Sequence, residues 1–353
     1  MRVTSVSLEN FRNYKQISIN CDVDLVLILG ENAAGKTNFL ESLYFLSTLN
    51  SFRAPEALLV KNQQDFFNLS AKTSVNSFEI VVQTSPAPKR SYKINQIKTK
   101  RGLWQSFTTV LFVPNDLNLF QLGPILRRKF LDETLRQIDQ QYSLDLESLD
   151  HILKQKAALL EQIYQGAAKQ ADLDFWNQQL VPVAHRITTR RQDFIDFLNK
   201  NITPKTNELT GFKNNFTIIY KRVAAETPEE LHKSLQEQEQ AEIRSGKNLL
   251  GPHRDDFEIH NDEQLNLFNS SRGELRSQIL ALKLLQAEYL DQAGKKPTIL
   301  LDDVFSELDE LRRTKLLDNL KGHQIFITST EEHHLPKLAK DALLLKVENN
   351  EIK

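Results

Sequence analysis

Cysteine is almost missing from this chain of 353 residues, in which Cys21 stands alone. One thiol excludes an internal disulfide framework and any multi-cysteine metal site, and fits a reducing compartment. Long apolar runs are missing too: no stretch approaches the roughly 20 apolar residues that span a bilayer. The opening MRVTSVSLENF alternates polar and apolar residues where a signal peptide would carry a continuous apolar core. A cytoplasmic chain without membrane attachment is therefore expected. Neither sign of charge is in excess, with 45 Lys and Arg against 46 Asp and Glu. That balance speaks against constitutive, charge-driven binding to nucleic acid or anionic lipid, but not against a local patch or a basic groove assembled from two copies. Glycine is scarce at 11 residues, so glycines at fixed spacing are informative, and 40% apolar content is enough to bury a core without covalent staples.

What is present reads as an α/β chain that leaves a sheet lobe for a helical one and returns. Residues 2–9 alternate around Val3, Val6 and Leu8, and 25–29 form a short continuous apolar run of the kind buried on both faces. Over 36–49, Phe39, Leu40, Leu43, Phe45 and Leu46 fall near helical spacing. Residues 78–84 and 91–97 read as a hairpin, expected to form a small antiparallel sheet beside a parallel one. From 122 the pattern becomes long, charged and helical, with helices over 144–164 and 173–199, a kink expected at Pro182, interruptions at Pro204 and Gly211, and a strand over 216–220. Strand signals return at 257–259 and 265–268, followed by a helix over 274–290 and buried strands over 298–301 and 324–328. The expected organisation is a first part of a sheet lobe over 1–121, a helical lobe over 122–250, and the second part of the sheet lobe over 251–353.

Three segments carry chemistry. Gly30-Glu31-Asn32-Ala33-Ala34-Gly35-Lys36-Thr37 fits the phosphate-loop pattern GxxxxGK[ST] in its strand–loop–helix setting. Its glycines let backbone N–H groups curl round the phosphates of ATP, Lys36 reaches the outer phosphates, and Thr37 ligates magnesium. Thr298-Ile299-Leu300-Leu301-Asp302-Asp303 is a buried strand ending in two acids. Strand alternation would turn Asp302 toward the metal and Asp303 toward the attacking water, although paired acids after a strand also serve to cap the next segment. More chain separates Lys36 from Asp302 than a compact GTPase or nucleotide kinase requires. An inserted helical lobe resembles the plan of an ABC-type P-loop ATPase head, and that resemblance predicts a third element: a serine and a glycine at a helix start shortly before the acids. Ser271-Arg272-Gly273-Glu274 supplies it, with Leu275, Ile279, Leu282 and Gln286 on one face behind. A hydroxyl and unpaired N–H groups at a helix start form an anion site for the γ-phosphate of ATP held by another copy.

Together these motifs resemble the ABC-type ATPases of DNA repair, and further segments resemble the RecF recombination family: 8–14 (LENFRNY), 127–132 (RRKFLD), 251–256 (GPHRDD) and 302–309 (DDVFSELD). The resemblance implies an ATP-dependent homodimer that grips DNA, either duplex or a single-strand/duplex junction, hydrolyses ATP slowly as a release step, and works with RecO and RecR to load a recombinase at gaps. It implies that Arg12 and Gly30 to Asn38 bind ATP in cis, that Thr37 and Asp302 hold Mg2+, that Asp303 is the general base, and that Ser271, Gly273 and Glu274 complete the site in trans. Departures are visible as well. Family members commonly carry glutamines where this chain has Arg272, Glu274 and Leu275. The switch histidine of ABC transporters is replaced by Thr328-Ser329-Thr330, with His333 and His334 further on, and where the lobe-linking glutamine is expected the chain offers Asn115 and Asp116. No role is assigned to 251–256 beyond a turn into a strand. Lys98, Lys100 and Arg101, with Trp104 beside them, or Arg186, Arg190 and Arg191, are the basic candidates for a DNA surface. A transporter nucleotide-binding subunit and an ATP-gated interaction module are the alternative functions.

Overall fold

The computed structural model describes residues 2–211, 213–223, 225–261, 264–265, 271–330, 342–348 and 351–352. In chain order its strands are β1 (Val3–Phe11), β2 (Tyr14–Asn20), β3 (Leu25–Leu29), β4 (Phe66–Thr73), β5 (Ser77–Gln83), β6 (Lys89–Ile94), β7 (Ile97–Thr99), β8 (Thr109–Phe112), β9 (Phe216–Lys221), β10 (Asp256–Asn261), β11 (Gln264–Leu265), β12 (Thr298–Asp302), β13 (Ile325–Ser329), β14 (Leu343–Glu348) and β15 (Glu351–Ile352). The helices are α1 (Lys36–Thr48), α2 (Asn118–Gln121), α3 (Pro124–Arg136), α4 (Gln140–Tyr164), α5 (Leu173–Thr210) and α6 (Pro228–Ser245), then Arg272–Gln292, labelled the signature helix after the Ser271–Glu274 motif at its start, and a shorter helix Glu310–Asn319. His333 and His334 lie outside the described residues.

The chain divides into two compact units: Met1–Leu117 with Pro204–Phe212 and Arg272–Lys353, and Asn118–Thr203 with Lys213–Ser271. The return to the first unit therefore falls at Arg272 and not at Gly251. The reason is strand pairing: β10 is antiparallel to β9, with Phe257 opposite Tyr220 and Ile259 opposite Ile218, so the strands after Gly251 complete a small sheet of the second unit.

In the first unit a sheet of order β15-β14-β3-β13-β12-β8 has β14, β3, β13, β12 and β8 all parallel. The central strands, LVLIL, TILLD and IFITS, are buried almost throughout, which is why they read as runs and not as alternations. The antiparallel sheet β2-β1-β4-β5-β6-β7 alternates instead, burying Val6, Leu8, Leu69, Ala71, Phe78 and Ile80 on one face. α1 lies between the two sheets: Phe39 meets Phe326 of β13 with ring centroids 6.3 Å apart, and Phe45 meets Phe67 of β4 at 5.5 Å. A helix covered on both sides needs apolar residues around most of its circumference, as this one has. Trp104 is a core residue and no stacking platform for bases. Its ring packs 5.8 Å from Phe78 and 5.9 Å from Tyr92, and its Nε1 donates to Leu46 O at 2.9 Å.

The second unit holds α2, α3, α4, α6 and most of α5, with the sheet β11-β10-β9. α5 continues through both Pro182 and Pro204 to end at Thr210, where Gly211 takes φ 75°. The expected interruption at Pro204 is absent because a proline removes one intrahelical bond, and burial of Leu198, Ile202 and Leu209 outweighs that loss. Two of the family-like segments meet inside this unit. Arg127 Nε and Nη2 donate to Asp256 at 2.6 and 2.9 Å, and Arg128 Nη1 donates to Asp255 O at 2.6 Å. Arg191, 1% exposed, donates to both oxygens of Asp132 and to Pro252 O at 2.7 Å, while Asp255 accepts from Val223 N and the Tyr220 hydroxyl. Segment 251–256 thus has a role that its sequence did not disclose: it threads a buried, hydrogen-bonded ionic network. The same network removes Arg191 from the candidate DNA surface, and Arg186 and Arg190 are committed to Asp145 and Asp139.

Candidate nucleotide site

The loop between β3 and α1 is shaped by sterics on both sides. A Cβ on Gly30 would stand 2.5 Å from Val347 O of β14, and one on Gly35, at φ 118°, would stand 2.6 Å from Asn13 Nδ2. Only glycine fits at either place. Ala33 also takes a left-handed conformation, at φ 64°. α1 then begins with neither a side-chain cap nor an acid in its first turn, so the positive end of the helix is left for an anion. Lys36 is 7% exposed and donates to Gly30 O at 2.7 Å and Glu31 O at 2.8 Å. Burial pulls its pKa down, and the nearby carboxylates of Asp303 and Asp302 partly oppose that.

At the carboxyl ends of β3, β13 and β12, parallel register sets Ile28 beside Thr328 and Thr328 beside Asp302. Thr37 Oγ1 and Thr328 Oγ1 each donate to Asp302 Oδ1 at 2.8 Å, and Asp303 N donates to Thr328 Oγ1 at 3.0 Å. One buried hydroxyl thereby ties both acids together and fixes Asp302 against Thr37. Burial pushes the Asp302 carboxyl up, with the Thr328 and Thr37 hydroxyls opposing. Thr37 and Asp302 form an all-oxygen pair that fits Mg2+, an ion that takes few protein ligands and completes its shell with water and phosphate oxygens. No cluster of three or more His, Cys, Asp or Glu that could hold a metal occurs among the described residues. Asp303 departs from the alternation expected of a strand. The strand ends at Asp302, and Asp303 turns at φ 52° into a 3-10 turn over Val304–Glu307, where its carbonyl accepts from Ser306 Oγ at 2.7 Å. Its side chain is set by that turn, and it remains partly exposed.

Arg12 does not stand free beside the loop. Its Nε and Nη2 donate to the two oxygens of Glu41 at 2.8 Å each, and its Nη1 donates to Leu58 O at 3.1 Å. Glu41, one turn after Thr37 on α1 and fully buried, also accepts from Ser51 and Arg53. Asn13 links this cluster to the loop, accepting from Asn38 Nδ2 at 2.7 Å and donating to Ala34 O at 3.4 Å. Together Arg12, Asn13, Asn38, Arg53, Leu58 and Lys61 line a cavity of about 650 Å³.

Burial alone would push the Glu41 carboxyl up, but hydrogen bonds from Arg12, Ser51 and Arg53 outweigh it and hold the carboxyl below the ordinary glutamate range. A depressed carboxylate contributes stability that is fully present above its unfolded value and is lost as pH falls through the folded value. Glu41→Gln is expected to cost about 3 kcal/mol at neutral pH, since it leaves two guanidinium groups without their buried counter-charge. Denaturant unfolding of both proteins between pH 7 and pH 3 checks this: the gap should close as the wild type is acidified, and a pH-independent gap would contradict the charge assignment.

The third motif sits on the signature helix. Ser271 is exposed, and Gly273 and Glu274 lie in the first turn, half-buried. Ser277 Oγ donates to Gly273 O at 3.0 Å, and Arg276 pairs with Glu307 at 3.3 Å. Asn115 is exposed in the turn Pro114–Leu117. Its neighbour Asp116 accepts from Val113 N at 2.8 Å and pairs with Lys283 of the signature helix at 3.2 Å. Lys98 and Lys100 are exposed, while Arg101 is half-buried and donates to Asn50 Oδ1 at 3.3 Å. The structure therefore brings Lys36, Thr37, Asp302 and Asp303 together. It adds Glu41 and Arg53, which sequence reasoning did not select, and gives contacts to Thr328, named there only in place of a switch histidine, and to Asn13, named only within segment 8–14. Glu41 had one signal, the sole carboxylate of α1, set among its apolar residues, and Thr328 had another, a hydroxyl near the end of a buried strand. No helix among the described residues is long and apolar enough to cross a membrane.

Comparison with known proteins gives a consistent result. Residues 2–353 match the family described as RecF/RecN/SMC N terminal domain. The chain is 35% identical to the DNA replication and repair protein RecF of Streptococcus equi subsp. zooepidemicus, over 100% of this chain and 98% of that protein. Among solved structures, the recombination mediator protein RecF with ATP in the RecFOR pathway superposes with a TM-score of 0.91 at 28% identity, covering 99% of this chain and 96% of that one. An Smc head bound to the C-terminal winged-helix domain of ScpA gives a TM-score of 0.56 at 14% identity over 100% and 96% of the two chains, a likeness of fold alone. The fold is that of an ABC-type P-loop ATPase head.

Proposed function

The chain belongs to the RecF family, and from that premise we propose that it is an ATP-dependent DNA-binding protein of recombinational repair and replication, in which ATP binding joins two copies on DNA and slow hydrolysis releases them. The observation that carries the ATPase reading is the hydroxyl bridge from Thr328 to both acids beside Thr37. Lys36 and the loop amides from Gly30 to Asn38 bind the phosphates, and the cavity at Arg12 and Lys61 receives the nucleoside end of ATP. Thr37 and Asp302 hold Mg2+, which when bound neutralises phosphate charge. Asp303, left-handed and partly exposed at the strand end, is the base that orients and deprotonates the attacking water. Ser271, Gly273 and Glu274 face the γ-phosphate held by a second copy. The assembly works at single-strand gaps and junctions with RecO and RecR, where it helps to load the recombinase.

Thr328→Val tests the hydrolytic part and its link to release. It keeps the shape of the side chain while leaving the Asp303 amide and one Asp302 oxygen short of a partner, a loss worth roughly tenfold in turnover. ATP turnover and the residence time of the protein on a gapped duplex should change inversely, with slower hydrolysis giving longer residence. Residence that stays constant while turnover falls would show that hydrolysis is not the release step.

A further inference from the structure

The segment after Asp303 is bonded to the start of the signature helix in the same chain. The 3-10 turn Val304–Glu307 leads to Asp309, which caps the helix Glu310–Asn319 by accepting from Arg312 N at 2.8 Å. The Arg312 side chain also donates to Asp309, and its Nε reaches across to Ser277 Oγ at 3.0 Å. That hydroxyl, wholly buried, donates in turn to the carbonyl of Gly273 at 3.0 Å. A second tie runs alongside, from Arg276 of the signature helix to Glu307 of the 3-10 turn, at 3.3 Å. One tie leaves from the turn after Asp303 and the other from the first turn of the helix that follows it, and both end within the first two turns of the signature helix.

We propose that Arg312 and Ser277 form a positioning relay through which the acid pair of one copy sets the orientation of the signature glycine that the same copy offers to its partner. The hydrogen bonds of Arg312 and Ser277 run to Asp309, to each other and to Gly273, and none runs to Lys36, Thr37, Asp302 or Asp303. The relay rests on the proposed ATP-joined dimer and deepens it, because it couples the two nucleotide sites. Asp303 and Ser306 hold the turn at one end and Gly273 O receives the constraint at the other. An arginine suits the task, since its planar fork holds Asp309 and Ser277 at once, which a lysine's single ammonium on a flexible stem does less well.

The test uses full-length protein and separates nucleotide binding from dimer formation. Arg312→Ala and Ser277→Ala should leave the affinity of the monomer for a fluorescent ATP analogue unchanged, and should leave the unfolding midpoint close to wild type. The protein concentration for half-dimerisation with Mg-ATP should rise roughly tenfold, the loss expected of one charge-assisted hydrogen bond. The Hill coefficient of ATP turnover should fall from near 2, the number of coupled sites, toward 1. The double variant should be no worse than either single one, as for two members of one relay, and Arg312→Lys should restore little. Wild-type dimerisation and cooperativity in both single variants, alongside a wild-type protein that does dimerise, would overturn the relay. A wild-type protein that never dimerises would instead overturn the function on which the relay rests.

Discussion

Replacing Lys36 by alanine is expected to weaken ATP binding by roughly two to four orders of magnitude, about the 3–5 kcal/mol lost on removal of one partner from a desolvated charge pair. Lys36 is buried at the foot of the loop, and its ammonium is held by two loop carbonyls, so it is placed to meet a phosphate there. The fold should survive the change, because the bonds Lys36 makes are to carbonyls of its own loop, Gly30 and Glu31, and not to the core. Isothermal titration with an ATP analogue, together with a denaturation curve, separates the two effects. Affinity within a factor of a few of wild type would mean that the loop is not the phosphate site.

Asp303→Asn should behave in the opposite way, keeping ATP bound while turnover falls by about 10²–10⁴-fold, the range for loss of a general base. The substitution is isosteric and leaves the Asp303 amide bonded to Thr328, so the geometry of Asp302 and Thr37 is retained. Asp302→Asn should differ: it removes the charge that Thr37 and Thr328 hold in place, and nucleotide binding in the presence of magnesium should weaken along with turnover. Single-turnover hydrolysis measured beside nucleotide affinity distinguishes the two acids. Undiminished turnover in Asp303→Asn would remove that residue from its role.

The phosphate loop, the acid pair and the strands that carry them are legible in the sequence because their chemistry is local. A loop bounded by a buried strand and a helix, or two acids at the end of an apolar run, can be read without knowing what lies opposite. The strands 25–29 and 298–302 and the start of α1 at Lys36 are set by the same local signals. Features that depend on partners distant in the chain are not legible in this way. Arg191, Trp104 and segment 251–256 look like surface or loop features until Asp132, Phe78 and Arg128 are brought beside them. The lobe boundary expected at Gly251 lies elsewhere for the same reason, since only pairing with β9 assigns β10 to the second unit. Pro204 misleads in another way: a proline weighs against a helix locally, but burial along α5 weighs more. Asp303 shows the limit of strand periodicity, which holds only while the backbone stays extended.

The central claim, that two copies enclose ATP and hold DNA while it is bound, is tested most directly by the solution mass of Asp303→Asn protein with Mg-ATP, measured with and without duplex DNA. The account predicts a monomer without nucleotide, a dimer with ATP, and DNA travelling with the dimer. A monomer under every condition would contradict it, and would remove the support for Ser271 and Gly273 acting on the partner's nucleotide.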